Sequence, residues 1–137
     1  MTDLDEAKRW LLQGAMDLKT AEDNAEAHPY AACFFSQQAA EKATKAFTIA
    51  EAGNYQRTHD ILSTLKASPA LKELIQLRDA TLLDAFYIST RYPDAWPGGI
   101  PAERFTPEQA REAVGSASGI LAVCTKLLAA LEAAAGR

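Results

Sequence analysis

Thr106-Pro107-Glu108-Gln109-Ala110-Arg111-Glu112-Ala113-Val114-Gly115-Ser116-Ala117, with its continuation to Gly136, decides the fold. Thr106 and Gln109 have the spacing of a capping box, in which each side chain satisfies a backbone amide that the first helical turn leaves unpaired. Pro107, lacking an amide hydrogen, suits the first helical position. From there Ala110, Val114, Ala117, Leu121, Cys124, Leu128 and Leu131 recur every three or four residues. That period puts them on one stripe of an amphipathic helix running to Ala135, with Gly136 as its stop. Gly115 and Gly119 on the same helix are expected to allow close backbone contact.

The rest of the chain reads in the same way. Thr2 caps a first helix whose stripe is Leu4, Ala7, Leu11, Ala15 and Leu18, and His28-Pro29 ends it, because a residue before proline is pushed out of the helical region. A second helix is predicted over residues 30–52, closed by Gly53-Asn54. A polar loop over 54–58 leads to a short helix over 59–66. Ser68-Pro69 opens another helix predicted to continue to Thr90. Pro93, Pro97, Gly98, Gly99 and Pro101 crowd residues 91–105, where no regular element is expected. With no strand-like alternation anywhere, the fold class is all-α: an up-and-down four-helix bundle with a short extra helix, forming a single domain over 1–137. Many stripe positions are alanine, which lets helix axes approach but buries little area per residue. A core that thin calls for a second copy, so a homodimer is expected.

Bulk properties set bounds on function. The 137 residues are 48% hydrophobic and 23% charged, as in an ordinary globular domain. A net charge of −4 argues against a non-specific grip on a phosphate backbone. Cys33 and Cys124 form no C-x-x-C pair and lie among apolar helical neighbours, where a thiol acts as a small hydrophobe. Residues 1–9 are polar and acidic, unlike a signal peptide. No apolar run reaches the roughly 18 residues of a membrane span, and the expected location is cytoplasmic. His28 and His59 stand too far apart to assemble a metal site, so no metal and no cofactor are expected.

Three segments carry polar residues that a plain bundle does not need. In Phe34-Phe35-Ser36-Gln37-Gln38-Ala39-Ala40-Glu41-Lys42-Ala43-Thr44-Lys45, Gln38, Lys42 and Lys45 share one helix face, and Glu41 can pair with Lys45 one turn on. The opposite face holds Phe34, Gln37, Glu41 and Thr44, so neither side is cleanly apolar; the helix either meets a partner or cleft or simply has a solvated face. In Thr58-His59-Asp60-Ile61-Leu62, His59 sits at a helix start, as a cap or as a site residue. In Leu83-Asp84-Ala85-Phe86-Tyr87-Ile88-Ser89-Thr90-Arg91-Tyr92-Pro93-Asp94, the spacing of Asp84, Tyr87 and Arg91 makes one helical ridge. Carboxylate, phenol and guanidinium together can seat a phosphate or a base, although Arg91 also suits a bare helix C-terminus. Trp10 reads as core or dimer interface, Trp96 as a loop anchor or a pocket cover.

Taken together and in this order, these three segments and a closing helix beginning Phe105-Thr106-Pro107-Glu108-Gln109-Ala110 resemble the HEPN family over nearly the whole chain. The resemblance implies a helical bundle, usually dimeric, often encoded beside a small nucleotidyltransferase for which it serves as a substrate-binding or regulatory subunit. Many members are metal-independent ribonucleases carrying Arg, four to six intervening residues, then His. This chain departs from that pattern: Arg91 leads to Trp96, Pro97 and Gly98 at those positions, and Arg78 to Leu83, Asp84 and Ala85. Without the imidazole the obvious proton shuttle is missing, and the nuclease activity is not carried over.

The expected function is therefore a nucleotide-related binding or regulatory partner module. Its binding residues are Gln38, Glu41, Lys42, Lys45, His59, Asp84, Tyr87, Arg91 and Tyr92, none assigned a catalytic role. Two alternatives stand beside it. One is a divergent ribonuclease toxin of a toxin–antitoxin pair that joins His59 and Arg91 through the fold; the other is a purely structural dimerisation module.

Overall fold

The computed structural model describes residues 1–136. Its helices are α1 (Asp3–Asn24), α2 (Pro29–Ala52), α3 (Ile61–Ala67), α4 (Pro69–Leu74), α5 (Leu77–Asp84), α6 (Phe86–Ser89) and α7 (Pro107–Ala135), with no strand among the described residues. The caps read from the sequence form. The Thr2 hydroxyl accepts from the Asp5 amide at 3.1 Å while the Asp5 carboxylate accepts from the Thr2 amide at 3.0 Å, and Thr106 and Gln109 repeat the arrangement on α7. Gly53 takes the left-handed φ of 76° that closes α2.

α2 is the central element, packed by α1 on one side, α7 on another and the short helices α3, α5 and α6 on the rest. The α1–α2 contact is set by Gly14: a Cβ there would lie 3.1 Å from the Ala39 carbonyl oxygen. With Ala7, Ala21, Ala39, Ala40 and Ala43 all fully buried, the two backbones run against each other with little side-chain volume between them. The buried row of α1 is therefore Ala7, Gly14, Asp17, Leu18 and Ala21, and the predicted stripe residue Ala15 is exposed.

Four other expectations are corrected. The helix predicted over 68–90 is broken into α4, α5 and α6. Ile75 and Gln76 are extended because the chain bends there to bury both Leu71 and Ile75, a tertiary demand that no proline or glycine announces. Residues 91–105 hold two short 3₁₀ turns, Pro93–Ala95 and Pro101–Glu103, each opened by a proline that pre-sets the backbone. Gly115 and Gly119 face open space rather than a neighbouring backbone. On α7 the buried row is Ala110, Ala113, Ala117, Ile120, Cys124 and Leu128, with Val114, Leu121 and Leu131 packed at its edges. By length and composition alone, α7 is also apolar enough to cross a membrane, against the expectation from sequence, because it is rich in apolar residues and carries few charges over one long stretch; here one of its faces lines the bundle core.

Glycine in an exposed helix interior costs stability through the entropy of the unfolded chain. Gly115→Ala and Gly119→Ala should each raise the unfolding free energy by about 0.5–1 kcal/mol in urea titrations. Gly14→Val should lower it by about 1–3 kcal/mol, since the added carbons meet backbone that cannot retreat.

Candidate functional site

Because α2 is packed on most sides, most of its polar residues lie away from solvent, with Gln38 and Lys42 half-buried. Gln37 and Thr44 are fully buried and Lys45 is only 3% exposed. Buried polar groups need partners inside the protein: Thr44 and Thr48 donate back to carbonyls of α2, Ser36 is left without a partner among the described residues, and the longer side chains form a continuous chain. The Gln13 amide donates to Asp17 (3.0 Å), and Lys42 donates to Asp17 (2.5 Å) and to the Gln38 side-chain oxygen (3.2 Å). Gln38 in turn donates to Gln37 (2.8 Å), and the Gln37 amide donates to Glu41 (3.3 Å) and to the His59 carbonyl (2.7 Å). Lys45 pairs with Glu41 at 3.1 Å and also donates to the Thr58 carbonyl. Two buried side chains of α2 thus hold consecutive carbonyls of the loop before α3.

That loop presents His59, whose side chain is 63% exposed and whose Nδ1 lies 3.6 Å from Glu41. The imidazole stacks on the Tyr87 ring with centroids 4.6 Å apart and planes 11° from parallel. The Arg91 guanidinium lies over the same ring at 4.2 Å. Tyr87 thus has an imidazole stacked on it and a guanidinium lying over it. Arg91 also lies over Phe34 (5.2 Å) and Tyr92 (4.9 Å), and its Nε donates to the Tyr87 carbonyl at 2.7 Å. Among the described residues no carboxylate lies within ion-pair distance of it. Its terminal amines stay available at a half-buried position.

Asp84 does not join a ridge with Tyr87 and Arg91. It ends α5 and turns inward, accepting from the amides of Ile61 (2.7 Å) and Leu62 (3.1 Å) at the start of α3. Burial is the main influence on its carboxyl group and raises it above the ordinary 3.8; the two amides oppose the shift, and the charges of Asp60 and Glu41 add to it. Asp60, not Thr58 or His59, caps α3 with its side chain. Burial works to raise Asp60 as well, but hydrogen bonds led by the Ser63 hydroxyl and amide outweigh it and hold the group below 3.8. Cys33 and Cys124 are pushed up to about 12 by burial, so neither supplies a thiolate.

Of the residues named from sequence, Gln38, Glu41, Lys42, Lys45 and His59 fall on one hydrogen-bonded chain, and His59, Tyr87 and Arg91 on one stacked column with the exposed Tyr92 at its rim. Asp17, Gln37 and Phe34 complete the arrangement without having been singled out. Asp17 was discoverable: it lies three residues after Gly14 and four before Ala21, in the buried row of α1, where a carboxylate requires a cation from a neighbouring helix. Trp96 anchors its loop, its indole donating to the Ser89 carbonyl at 2.7 Å while its ring meets Phe105 edge-on. Trp10 is half-buried against Tyr55.

The sequence model of the HEPN domain matches residues 7–127. The chain belongs to the HEPN family. Among solved structures, TT1696 from Thermus thermophilus is 35% identical with a TM-score of 0.80, covering 88% of this chain and 97% of that one. ST0689, described as an archaeal HEPN homologue, is 34% identical with a TM-score of 0.74, covering 89% and 97%. No protein of curated function matches. In this HEPN domain the first three of the segments that carried the resemblance, scattered along the chain, meet around the loop that presents His59.

Asp84 gives a test of this geometry. Its folded-state value is raised, so between 3.8 and that value the unfolded chain has released a proton that the folded chain keeps. Stability of the wild type from this group is complete below 3.8 and declines as pH rises through the window. Asp84→Asn removes the titration, so the stability difference, variant minus wild type, should climb across the same window in urea titrations. Asp84→Ala, which leaves two amides without an acceptor, should cost about 1–3 kcal/mol at any pH.

Proposed function

We propose that this HEPN domain binds the phosphate-bearing part of a nucleotide at the Arg91–Tyr87–His59 column, and that it acts as a homodimeric partner of a small nucleotidyltransferase. The observation that carries the reading is Arg91 itself: a guanidinium held over three aromatic rings, with no carboxylate among the described residues to neutralise it. Such a cation is pre-oriented, and its planar set of donors matches a phosphate. The exposed His59 ring adds a stacking surface and a second nitrogen, and Tyr92 at the rim offers a further ring.

The dimer is supported by the alanine-lined core and by large apolar side chains left exposed between α4 and the 3₁₀ turns: Leu74, Leu77, Ile88, Tyr92 and Ile100. Ile88 and Tyr92 flank Arg91 in sequence, so a two-fold contact on this side would bring the columns of two copies towards each other. Membership of the HEPN family supports the nucleotidyltransferase partner.

Calorimetry with nucleoside mono- and triphosphates should detect binding to the wild type. Arg91→Ala should weaken it at least tenfold, and Arg91→Lys should recover only part, while both variants sediment with the dimer mass of the wild type. Absence of heat with every nucleotide and with a co-expressed nucleotidyltransferase would reject the reading.

The meeting of His59 and Arg91 at one ring also favours a second reading, RNA cleavage by His59 as general base with Arg91 on the phosphate. It predicts cleavage in the presence of chelator that disappears in His59→Ala; RNA left intact by the pure wild-type protein excludes it.

A further inference from the structure

A cavity of about 270 Å³ lies where the start of α1 meets the end of α2, and it shares no lining residue with the Arg91 column. Its apolar walls are the buried Ile49 and the half-buried rings of Trp10 and Tyr55, whose centroids are 4.8 Å apart with planes tilted by 47°.

Two opposite charges line it without closing on each other. Among the described residues neither Asp3 nor Arg57 makes an ion pair, with the other or with any further side chain. The Arg57 guanidinium lies over the Tyr55 ring, 5.7 Å from its centroid. The remaining charges nearby are already engaged: Glu6 by Arg9 and the Trp10 indole, Lys45 by Glu41. The Asp3 carboxylate reaches the end of α2, since a Cβ on Gly53 would lie 3.1 Å from its Oδ2. That end of a 24-residue helix has no basic residue in its last turn, and the carbonyls of Ala50, Glu51 and Ala52 receive no backbone amide among the described residues. A carboxylate placed at a helix C-terminus deepens its negative potential, and an ammonium relieves both.

The two unpaired charges restrict the occupant. A simple cation would meet Arg57, and a simple anion would meet Asp3. A phosphate dianion is served worse still, because the walls carry two carboxylates, Asp3 and Glu6, to one guanidinium. The volume also falls below the roughly 300 Å³ at which drug-sized sites begin. The complement is a small molecule with one charge of each sign and an apolar side.

We propose that this cavity binds a free α-amino acid with an apolar side chain. Its ammonium sits between Asp3 and the end of α2, its carboxylate accepts from Arg57, and its side chain lies against Trp10 and Ile49. No residue of the Arg91 column takes part, so the proposal stands whether or not that column binds a nucleotide.

The chain has two tryptophans, and only Trp10 lines the cavity. Titrating ¹⁵N-labelled full chain with L-phenylalanine or L-leucine should move the Trp10 indole resonance saturably and leave the Trp96 indole unmoved. Phenethylamine, which lacks the carboxylate, and 3-phenylpropionate, which lacks the ammonium, should each bind at least tenfold more weakly than phenylalanine. Asp3→Asn and Arg57→Gln alter exposed side chains that the fold does not depend on, and each should weaken phenylalanine at least tenfold. The variants should also separate the two charges: Asp3→Asn should bind 3-phenylpropionate no worse than the wild type does, and Arg57→Gln should bind phenethylamine no worse. No saturable movement with either amino acid overturns the proposal. So does equal binding of the amine or the acid alone, or an affinity for phenylalanine that either variant leaves untouched. Parallel movement of both tryptophans overturns it too, because it reports a general change in the fold rather than occupancy.

Discussion

An ammonium as deeply buried as that of Lys45 has no water to fall back on, and the middle of this protein is arranged around that fact. Glu41 supplies the opposite charge, the Thr58 carbonyl accepts a further bond, and the Tyr55 ring lies 5.3 Å away. Removing one member of such a buried pair typically costs several kcal/mol, because the survivor is left uncompensated. The loop from Gly53 to Asp60 therefore has little choice of path: its carbonyls at Thr58 and His59 answer a requirement set on α2 by Lys45 and Gln37. The position of His59 follows from the burial of side chains that never reach the surface.

That dependence explains what could and could not be read from the sequence. Helix ends were legible because caps are local: Thr2 with Asp5, Thr106 with Gln109 and the left-handed Gly53 all declare themselves within a few residues. The break at Ile75 and Gln76 was not, since it arises from packing of Leu71 and Ile75 and leaves no proline or glycine behind. Gly14 and Gly119 look equivalent on a helix, yet one touches the Ala39 carbonyl and the other meets nothing; only the partner helix distinguishes them. For the site, residue types and segments were legible, but roles were not. Asp84 looks like a ligand-facing carboxylate on an ideal helix, and in the fold it is an anchor for the start of α3.

Tyr87 has become the centre of the site rather than one point along a ridge. By stacking on the His59 imidazole and lying under the Arg91 guanidinium it gathers both groups at one ring. Arg91 is held from α6 by the Tyr87 carbonyl and by three rings around it, so little conformational entropy would remain to be lost on binding an anion. A rigid cation beside a more exposed imidazole suits recognition, and the same rigidity would serve a phosphodiester transition state.

The hold of Asp84 on α3 has a consequence for motion. α1 and α2 are neighbours joined by a turn of a few residues, and their contact forms from local chain, whereas the helices between Ile61 and Ser89 are each eight residues or fewer and hold only by packing on the rest of the bundle. Such segments open before the rest of a domain and exchange their amide hydrogens sooner. The Ile61 and Leu62 amides are exceptions within that soft region, because a carboxylate from a different helix closes over them. Their exchange accordingly reports opening between α3 and α5, and with it the freedom of the His59 loop that leads into α3, on a timescale of minutes to hours.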